Sequence, residues 1–345
     1  MRSRFSRWFH RNWGLRTEPW GGQNLADRSL VRWGQGALLT GLVLALMVAG
    51  CRPATPMRTT IRLGYIPIVD LSGLYLAIDR GYFTAENLDI ELTAMAGGAT
   101  ILPAVASGSL DIGFSNVLSV ILARAEGFDF VIIAHVENED TQSRTHMVIV
   151  KGDSPIQVPK DLEGRRVAVN TFNNIEHLMT QKWLAEKGAD LARVTFTELP
   201  FPEMPPALMQ NQVDAIVTSE PYGTIALSQG GRVLGYEYAE TVPDAAVASF
   251  VATERWVRAN PDVVRRFVRA YQKGAQEAAA DPSLQRSVIP KFTRVAPDLA
   301  GQMRLVTLRS TIDPAQLQWW ADEALAFGLL KKPLDTRVLI YETAK

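Results

Sequence analysis

The chain repeats one strand and helix pattern twice, and that repeat restricts it to a small set of folds. In the first copy, IRLGYIP (61–67) reads as a strand closed by Pro67, and Ser72 to Asp79 as a helix that stops at Gly81. LDIEL (88–92) follows as a strand, its Leu88, Ile90 and Leu92 alternating with Asp89 and Glu91. Gly97, Gly98, Ala99 and Thr100 then open a helix through Ala106, and Leu110 to Phe114 is a strand ending in Ser115 and Asn116. In the second copy, Arg166 to Val169 is a strand that ends in Asn170, Thr171, Phe172, Asn173 and Asn174. A helix to about Lys187, a strand from Val194 to Leu199, a proline-rich lead into a helix around Leu208, and a strand from Val213 to Val217 complete it.

The two copies agree in detail. SLDIGFSN and QVDAIVTS each place an aspartate at the start of a strand and hydroxyl or amide groups at its end. Gly64 lies 47 positions before Asp111, and Ala168 lies 46 before Asp214. Each copy is a β-α-β-α-β unit, which implies parallel strands with right-handed crossovers. In open α/β sheets ligands sit beyond the carboxyl ends of the strands, so two facing units make a cleft.

Between the copies, Phe130 to Ala134 is an apolar strand and Met147 to Val150 another. HVENEDTQSRT (135–145) reads as a polar loop, with Glu137, Glu139 and Asp140 as a solvated charge run. After Ala246 a strand at 248–253 precedes a helical tail, in which Asn260-Pro261-Asp262 opens a helix with Val264, Phe267, Val268 and Tyr271 on its buried face. The tail is expected to dock on the first unit. That gives one lobe from 60–148 plus 250–345, a second from 149–249, and a hinge at crossings near 145–150 and 245–252.

Residues 1–50 carry seven arginines against Glu18 and Asp27, and end in the uncharged run ALLTGLVLALMV (37–48). A positive region before a short apolar core is a signal-peptide pattern, and Val48-Ala49-Gly50-Cys51 resembles a bacterial lipobox. Cys51 is then the lipidated (palmitate-bearing) first mature residue, and 51–59 its tether. The rest of the chain holds 29 basic and 34 acidic residues, which argues against nucleic-acid binding. A single cysteine excludes an intrachain disulfide and a cysteine metal site. His10, His135, His146 and His177 show no metal spacing, and no GxSxG, HExxH or P-loop occurs, so neither a metal, a cofactor nor catalysis is expected. His135 and His146 flank a crossing and read either as cleft groups or, as is more usual, as loop or hinge hydrogen-bonders, and Arg144 as the cation nearest the cleft.

Together IRLGYIP, LYLAIDRGYF, GGATILPAVASGSLDIGFSN, DLEGRRVAVNTFNNI, ELPFPEMPPAL, VDAIVTSEPY and NPDVVRRFVRAY resemble the nitrate/sulfonate/taurine-type substrate-binding proteins of ABC importers over roughly residues 58 to 340. Pyrimidine-precursor-binding proteins share that fold. The resemblance implies an α/β, two-lobed class II periplasmic-binding (Venus-flytrap) fold, each lobe a mainly parallel sheet flanked by helices, which closes on its ligand. Carried over, its ligand loops fall on Ile66 and Pro67, Gly97 to Thr100, Ser115 and Asn116, Asn170 to Asn174, and Ser219, Glu220 and Tyr222. Gly97 to Thr100 reads equally as a turn plus helix cap, and Phe172 and Tyr222 as a sandwich for a flat group. The implied partners are a small organic anion (sulfonate- or carboxylate-like), an ABC permease and ATPase complex, and the membrane through the lipid. The protein is then a monomer at the cell envelope. An enzyme of the same fold acting on a pyrimidine-like cofactor precursor is the alternative. The pyrimidine synthases of this fold carry a cysteine-rich motif that this chain lacks.

Overall fold

A computed structural model describes residues 58–345 apart from Arg294, with the backbone alone at Ala99. The expected signal peptide, the lipobox with Cys51 and most of the tether lie outside the described residues. The first copy comprises β1 (Thr59–Tyr65), α1 (Ser72–Asp79), α2 (Tyr82–Ala85), β2 (Leu88–Ala94), α3 (Gly98–Ala106) and β3 (Ile112–Asn116). Helix α4 (Val117–Ala125), β4 (Phe130–Asp140) and β5 (His146–Lys151) lead to the second copy. That copy consists of β6 (Arg166–Val169), α5 (Ile175–Glu186), β7 (Thr195–Glu198), α6 (Met204–Met209) and β8 (Ala215–Ser219). There follow α7 (Tyr222–Ser228), β9 (Gly231–Gly235), β10 (Asp244–Thr253), α8 (Glu254–Ala259), α9 (Pro261–Ala280), α10 (Pro282–Thr293), α11 (Pro297–Ala300), β11 (Thr307–Leu308) and α12 (Pro314–Ala326).

Two sheets result, ordered β11-β4-β10-β3-β1-β2 and β7-β6-β8-β5-β9. Strand β1 runs parallel to β2 and β3, as β6 does to β7 and β8. The strands outside the repeat, β4, β10 and β11 in one sheet and β5 and β9 in the other, pair antiparallel. Each sheet is therefore mixed, and the expected parallel part is the three strands of the repeat. The chain enters the second sheet at β5 and rejoins the first at β10, so both crossings fall a few residues earlier than the sequence suggests.

The repeat extends to side chains. Asp111 accepts the backbone N–H of Arg62 (2.9 Å) and pairs with its guanidinium (2.7 Å), while its own N–H donates to Arg62 O (2.9 Å). Asp214 treats Arg166 the same way, accepting its N–H at 2.8 Å and its Nε at 3.2 Å, and donating to Arg166 O at 2.9 Å. Such exposed pairs contribute little energy. Their effect is to fix where the third strand of each unit starts against the first.

Strand β4 corrects the sequence reading most. It continues six residues past Ala134, so Glu137 and Glu139 lie in a strand and are fully buried rather than solvated. Asp140 builds the turn that follows, accepting from Gln142 N–H and Ser143 N–H, both at 2.8 Å. His135 is a core residue bridging β4 and β10: Nδ1 lies 3.0 Å from Ser249 Oγ, and Nε2 lies 2.7 Å from Asn138 Oδ1. Arg144 is exposed, donating to Thr141 O (2.9 Å) with its guanidinium over the Tyr236 ring. Among the described residues no helix is long and apolar enough to cross a membrane.

The helical tail packs through α9, whose Val264, Phe267, Val268 and Tyr271 are buried as their spacing predicts. Phe267 and Tyr271 meet Phe250 of β10 edge-on at 5.4 and 4.9 Å. Helix α9 crosses α1 closely at Gly274, where an added Cβ would lie 2.6 Å from Gly73 O and 2.6 Å from Ala77 Cβ. In an open helix, replacing glycine by alanine gains up to about 1 kcal/mol. Here the contact atoms include backbone and cannot retreat, so we expect Gly274→Ala to lose about 2 kcal/mol in urea unfolding; a gain would refute the close crossing.

Burial lowers the His135 imidazole to a pKa of about 4, against the opposing bond to Asn138. A base lowered on folding binds fewer protons folded than unfolded, so its contribution to stability falls as pH drops from about 6.5 towards 4. Comparing pH 7 with pH 4.5, His135→Gln should lose about 2 kcal/mol less stability than the parent chain. Equal losses would mean that His135 is charged in the fold.

Candidate functional site

Five acids converge where the two sheets meet, and they come from both sides. Asp70 follows β1, and Glu137 and Glu139 sit on β4 of the first sheet. Glu176 lies in the first turn of α5 and Glu237 just past β9, on the second sheet. His146, the first residue of β5, stands among them. All six are at most 3% exposed. Among the described residues no lysine or arginine is buried, which leaves His146 as the group's only basic side chain.

Their hydrogen bonds are unequal. Glu139 is well held: Oε2 accepts from Thr145 Oγ1 (2.6 Å) and Ser143 Oγ (3.1 Å), and lies 3.3 Å from His146 Nδ1. Glu176 Oε1 accepts from Tyr238 OH (3.2 Å) and lies 3.4 Å from His146 Nε2. Asp70 accepts from Ser219 Oγ across the two sheets at 3.3 Å. Both carboxylate oxygens of Glu137, both of Glu237 and Oε2 of Glu176 have no partner. Burial pushes the Glu137 and Glu237 carboxyls well above the usual range, and raises Asp70 and Glu176 in the same direction. For His146 burial opposes the charged form, but the Glu176 and Glu139 carboxylates outweigh it and hold the imidazole well above its ordinary value. Asp70, Glu137, Glu176 and Glu237 thus hold protons more tightly than the same acids do in water.

The loops expected at the cleft divide into three groups. One group meets around the cluster and across the sheets. Tyr222 OH donates to Pro67 O (3.4 Å), Val69 N–H donates to Glu220 O (3.0 Å), and Ser219 reaches Asp70. An added Cβ on Gly97 would lie 3.1 Å from Thr171 Oγ1 and 3.8 Å from Asn170 Nδ2, and one on Gly98 would lie 2.5 Å from Ser115 Oγ. Only glycine permits that approach.

A second group is structural. Asn116 and Asn174 cap helices through Ser119 N–H (2.8 Å) and His177 N–H (3.0 Å). Thr100 Oγ1 donates to Gly97 O (2.9 Å), Ala99 lies in the first turn of α3, and buried Ile66 accepts from Tyr75 OH (3.4 Å). Glu220 is buried and fully bonded to Thr224 N–H (2.9 Å), Thr224 Oγ1 (2.8 Å) and Arg304 N–H (3.2 Å), so it holds α7 and the tail rather than facing a ligand.

A third group points elsewhere. Phe172 is exposed and packs on His177, whereas Tyr222 stacks on Phe201, so the two rings form no sandwich. Asn173 lines a surface depression of about 590 Å³ between the end of α4 and residues 329–334.

Sequence reasoning missed Asp70, Glu137, Glu139, Glu176 and Glu237 as members of this cluster and left the place of His146 open. One signal was present: no glycine or proline separates Phe128 from Lys151, so nothing compelled the strand to stop at Ala134.

The riboflavin-binding protein RibY of Chloroflexus aurantiacus is 21% identical over 314 residues, 85% of this chain and 87% of that protein. The formylaminopyrimidine-binding protein of Halalkalibacterium halodurans is 24% identical over 263 residues, 73% of this chain and 77% of its own length. A pyrimidine phosphate synthase of Saccharomyces cerevisiae, THI11, also matches, at 21% over 238 residues (65% of this chain, 68% of the synthase). Among solved structures, the alkanesulfonate-binding protein SsuA of Xanthomonas axonopodis bound to MOPS superposes with a TM-score of 0.70 at 19% identity, covering 84% of this chain and 99% of SsuA. The architecture is thus that of two-lobed periplasmic binding proteins. The profile described as NMT1/THI5 like matches residues 69–284, and the chain belongs to that family.

Proposed function

We propose that this protein is the solute-binding component of an ABC importer, and that its cleft selects a small solute rich in N–H donors or positive charge. An amine or an amino-substituted heterocycle of pyrimidine size has that character. The carrying observation is the convergence of Asp70, Glu137, Glu139, Glu176 and Glu237 with no buried lysine or arginine among the described residues. The organic anion expected from the sequence is disfavoured by the same observation. Bringing a second negative charge beside desolvated carboxylates is unfavourable unless a cation accompanies it. A formylaminopyrimidine-binding relative is consistent with an amino-heterocycle.

On this reading the lobes are 60–148 plus 250–345 and 149–249, give or take the strand ends described above. Pro67, Gly97, Gly98, Asn170, Thr171, Ser219 and Tyr222 shape the walls, while Glu237, with both oxygens unpartnered, accepts the donors. Lipidation at Cys51 would hold a monomer at the cell envelope beside a permease and its ATPase.

The test is a thermal-shift panel on the full chain in mild detergent. It sets amines, aminopyrimidines and flavins against nitrate, taurine and alkanesulfonates, with calorimetry and mass spectrometry on each hit. A ligand at 100 times its Kd adds about 2.7 kcal/mol, a readable shift. We expect hits among the donors and none among the anions, and Glu237→Gln should weaken a hit by about 1.5–3 kcal/mol, tenfold or more. Stabilisation by anions alone would overturn the selectivity, and chemical conversion of the hit would make the protein an enzyme.

A further inference from the structure

We propose that Asp70, Glu137 and His146 together bind a divalent first-row transition-metal ion at the meeting of the two sheets. This goes beyond the receptor reading and rests on it only for the cleft's place in the fold. One atom from each of the three side chains lies within 4.8 Å of the other two, and all three residues are buried. An ion with bonds of about 2.1 Å holds its donors roughly 3–4 Å apart, so the set closes on a metal by rotamer adjustments of about an ångström.

Two independent features point to a ligand rather than to an incidental group of acids. Glu137 is fully buried, finds no N–H or O–H donor among the described residues and faces the Asp70 carboxyl instead, with a carboxylate oxygen among the three converging atoms. Two buried carboxyls set face to face beside an imidazole require either a bound cation or a shared proton. The second feature is the imidazole. Nδ1 lies 3.3 Å from Glu139 Oε2, and Glu139 is itself fixed by Thr145 Oγ1, Ser143 Oγ and the His146 N–H (3.4 Å). A carboxylate behind a histidine sets the proton on the near nitrogen and presents the far one to a metal. Metal binding at Nε2 would displace the proton that this nitrogen directs at Glu176, 3.4 Å away, and would leave that carboxylate, with its free Oε2, placed to complete the sphere.

Two carboxylates and one imidazole favour Zn²⁺, Mn²⁺, Fe²⁺ or Co²⁺ over Ca²⁺ and Mg²⁺, which take oxygen, and over Cu⁺, which takes sulfur. With the ion on these three residues, Glu237 remains for the donors of an organic solute. The competing account of the unpartnered oxygens is a single proton shared between Asp70 and Glu137, which requires no metal.

The experiment titrates the untagged full chain, stripped with EDTA in mild detergent, with Co²⁺ and then with competing Zn²⁺. We expect one Co²⁺ per chain with visible ligand-field absorption that Zn²⁺ removes. Glu137→Gln and His146→Gln should each weaken binding at least tenfold, and Glu139→Gln should weaken it while altering the absorption less. Asp153→Asn, an exposed acid, serves as the control and should bind as the parent does. Thermal transitions of every variant identify any that fail to fold, and the parent chain alone then decides. No retained Co²⁺, or equal binding in the Glu137 and His146 variants, overturns the site in favour of the shared proton. Repeating the solute panel with and without Co²⁺ separates the two readings. Metal binding with no solute hit sinks the receptor, and solute binding with no metal sinks this site.

Discussion

Carboxylates out of water must find a partner, and in this fold that requirement falls on one small volume. Asp70 and Glu137 arrive with the first sheet, His146, Glu176 and Glu237 with the second, and Glu139 ties the two through His146. None of the five acids could be buried alone without shifting its protonation or gaining a cation. The surrounding framework makes the arrangement rigid. Strand β4 is paired along its length with β10, and β5 lies between β8 and β9, so Glu137 and His146 sit on backbone held from both sides or along its length.

That framework follows from a duplication. The clamps Arg62–Asp111 and Arg166–Asp214 repeat one local solution, an aspartate reading the backbone and the guanidinium of the first strand. Such a clamp sets the register of a parallel pair without covering its carboxyl end. The carboxyl ends of β1, β3, β6 and β8 are thereby left free to present Pro67, Ser115, Asn170 and Ser219. The antiparallel strands then join the units. Because β4 leads to β5 and β9 to β10, both crossings run past the same volume, and the acids of β4 and the histidine of β5 meet there.

The repeat, its strands and the buried face of α9 were legible because each rests on local periodicity, which sequence displays directly. That the glycine loop, Pro67, Thr171 and Ser219 lie at strand ends near the meeting of the two sheets was also legible, since the order of strands and helices in a parallel unit fixes where its strand ends fall. What failed was any inference from charge to exposure. Glu137 and Glu139 were read as solvated because acids are rarely buried, a rule that holds except where a site needs them. For Glu220 the sequence left two readings open, a cleft group or a strand terminus, and the structure bonds its carboxylate to α7 and the tail. Asn116 and Asn174 fall between, since a cap and a ligand donor use the same side chain at the same strand end.

Placing the acids on both sheets couples charge to closure. If the lobes separate about the β4–β5 and β9–β10 crossings, water reaches Asp70 and Glu137 on one side and Glu176 and Glu237 on the other, and their desolvation cost is relieved. Closing strips that water away, so the carboxyls must hold protons or find a countercharge, and His146 supplies only one. Closure without a ligand is therefore opposed by the cluster, and closure around a cation or a donor-rich solute is favoured by it. A receptor built this way needs little more than its buried acids to reject anions. The anion loses contact with water and meets carboxylates, whereas the correct ligand supplies the countercharge that the protein itself omits.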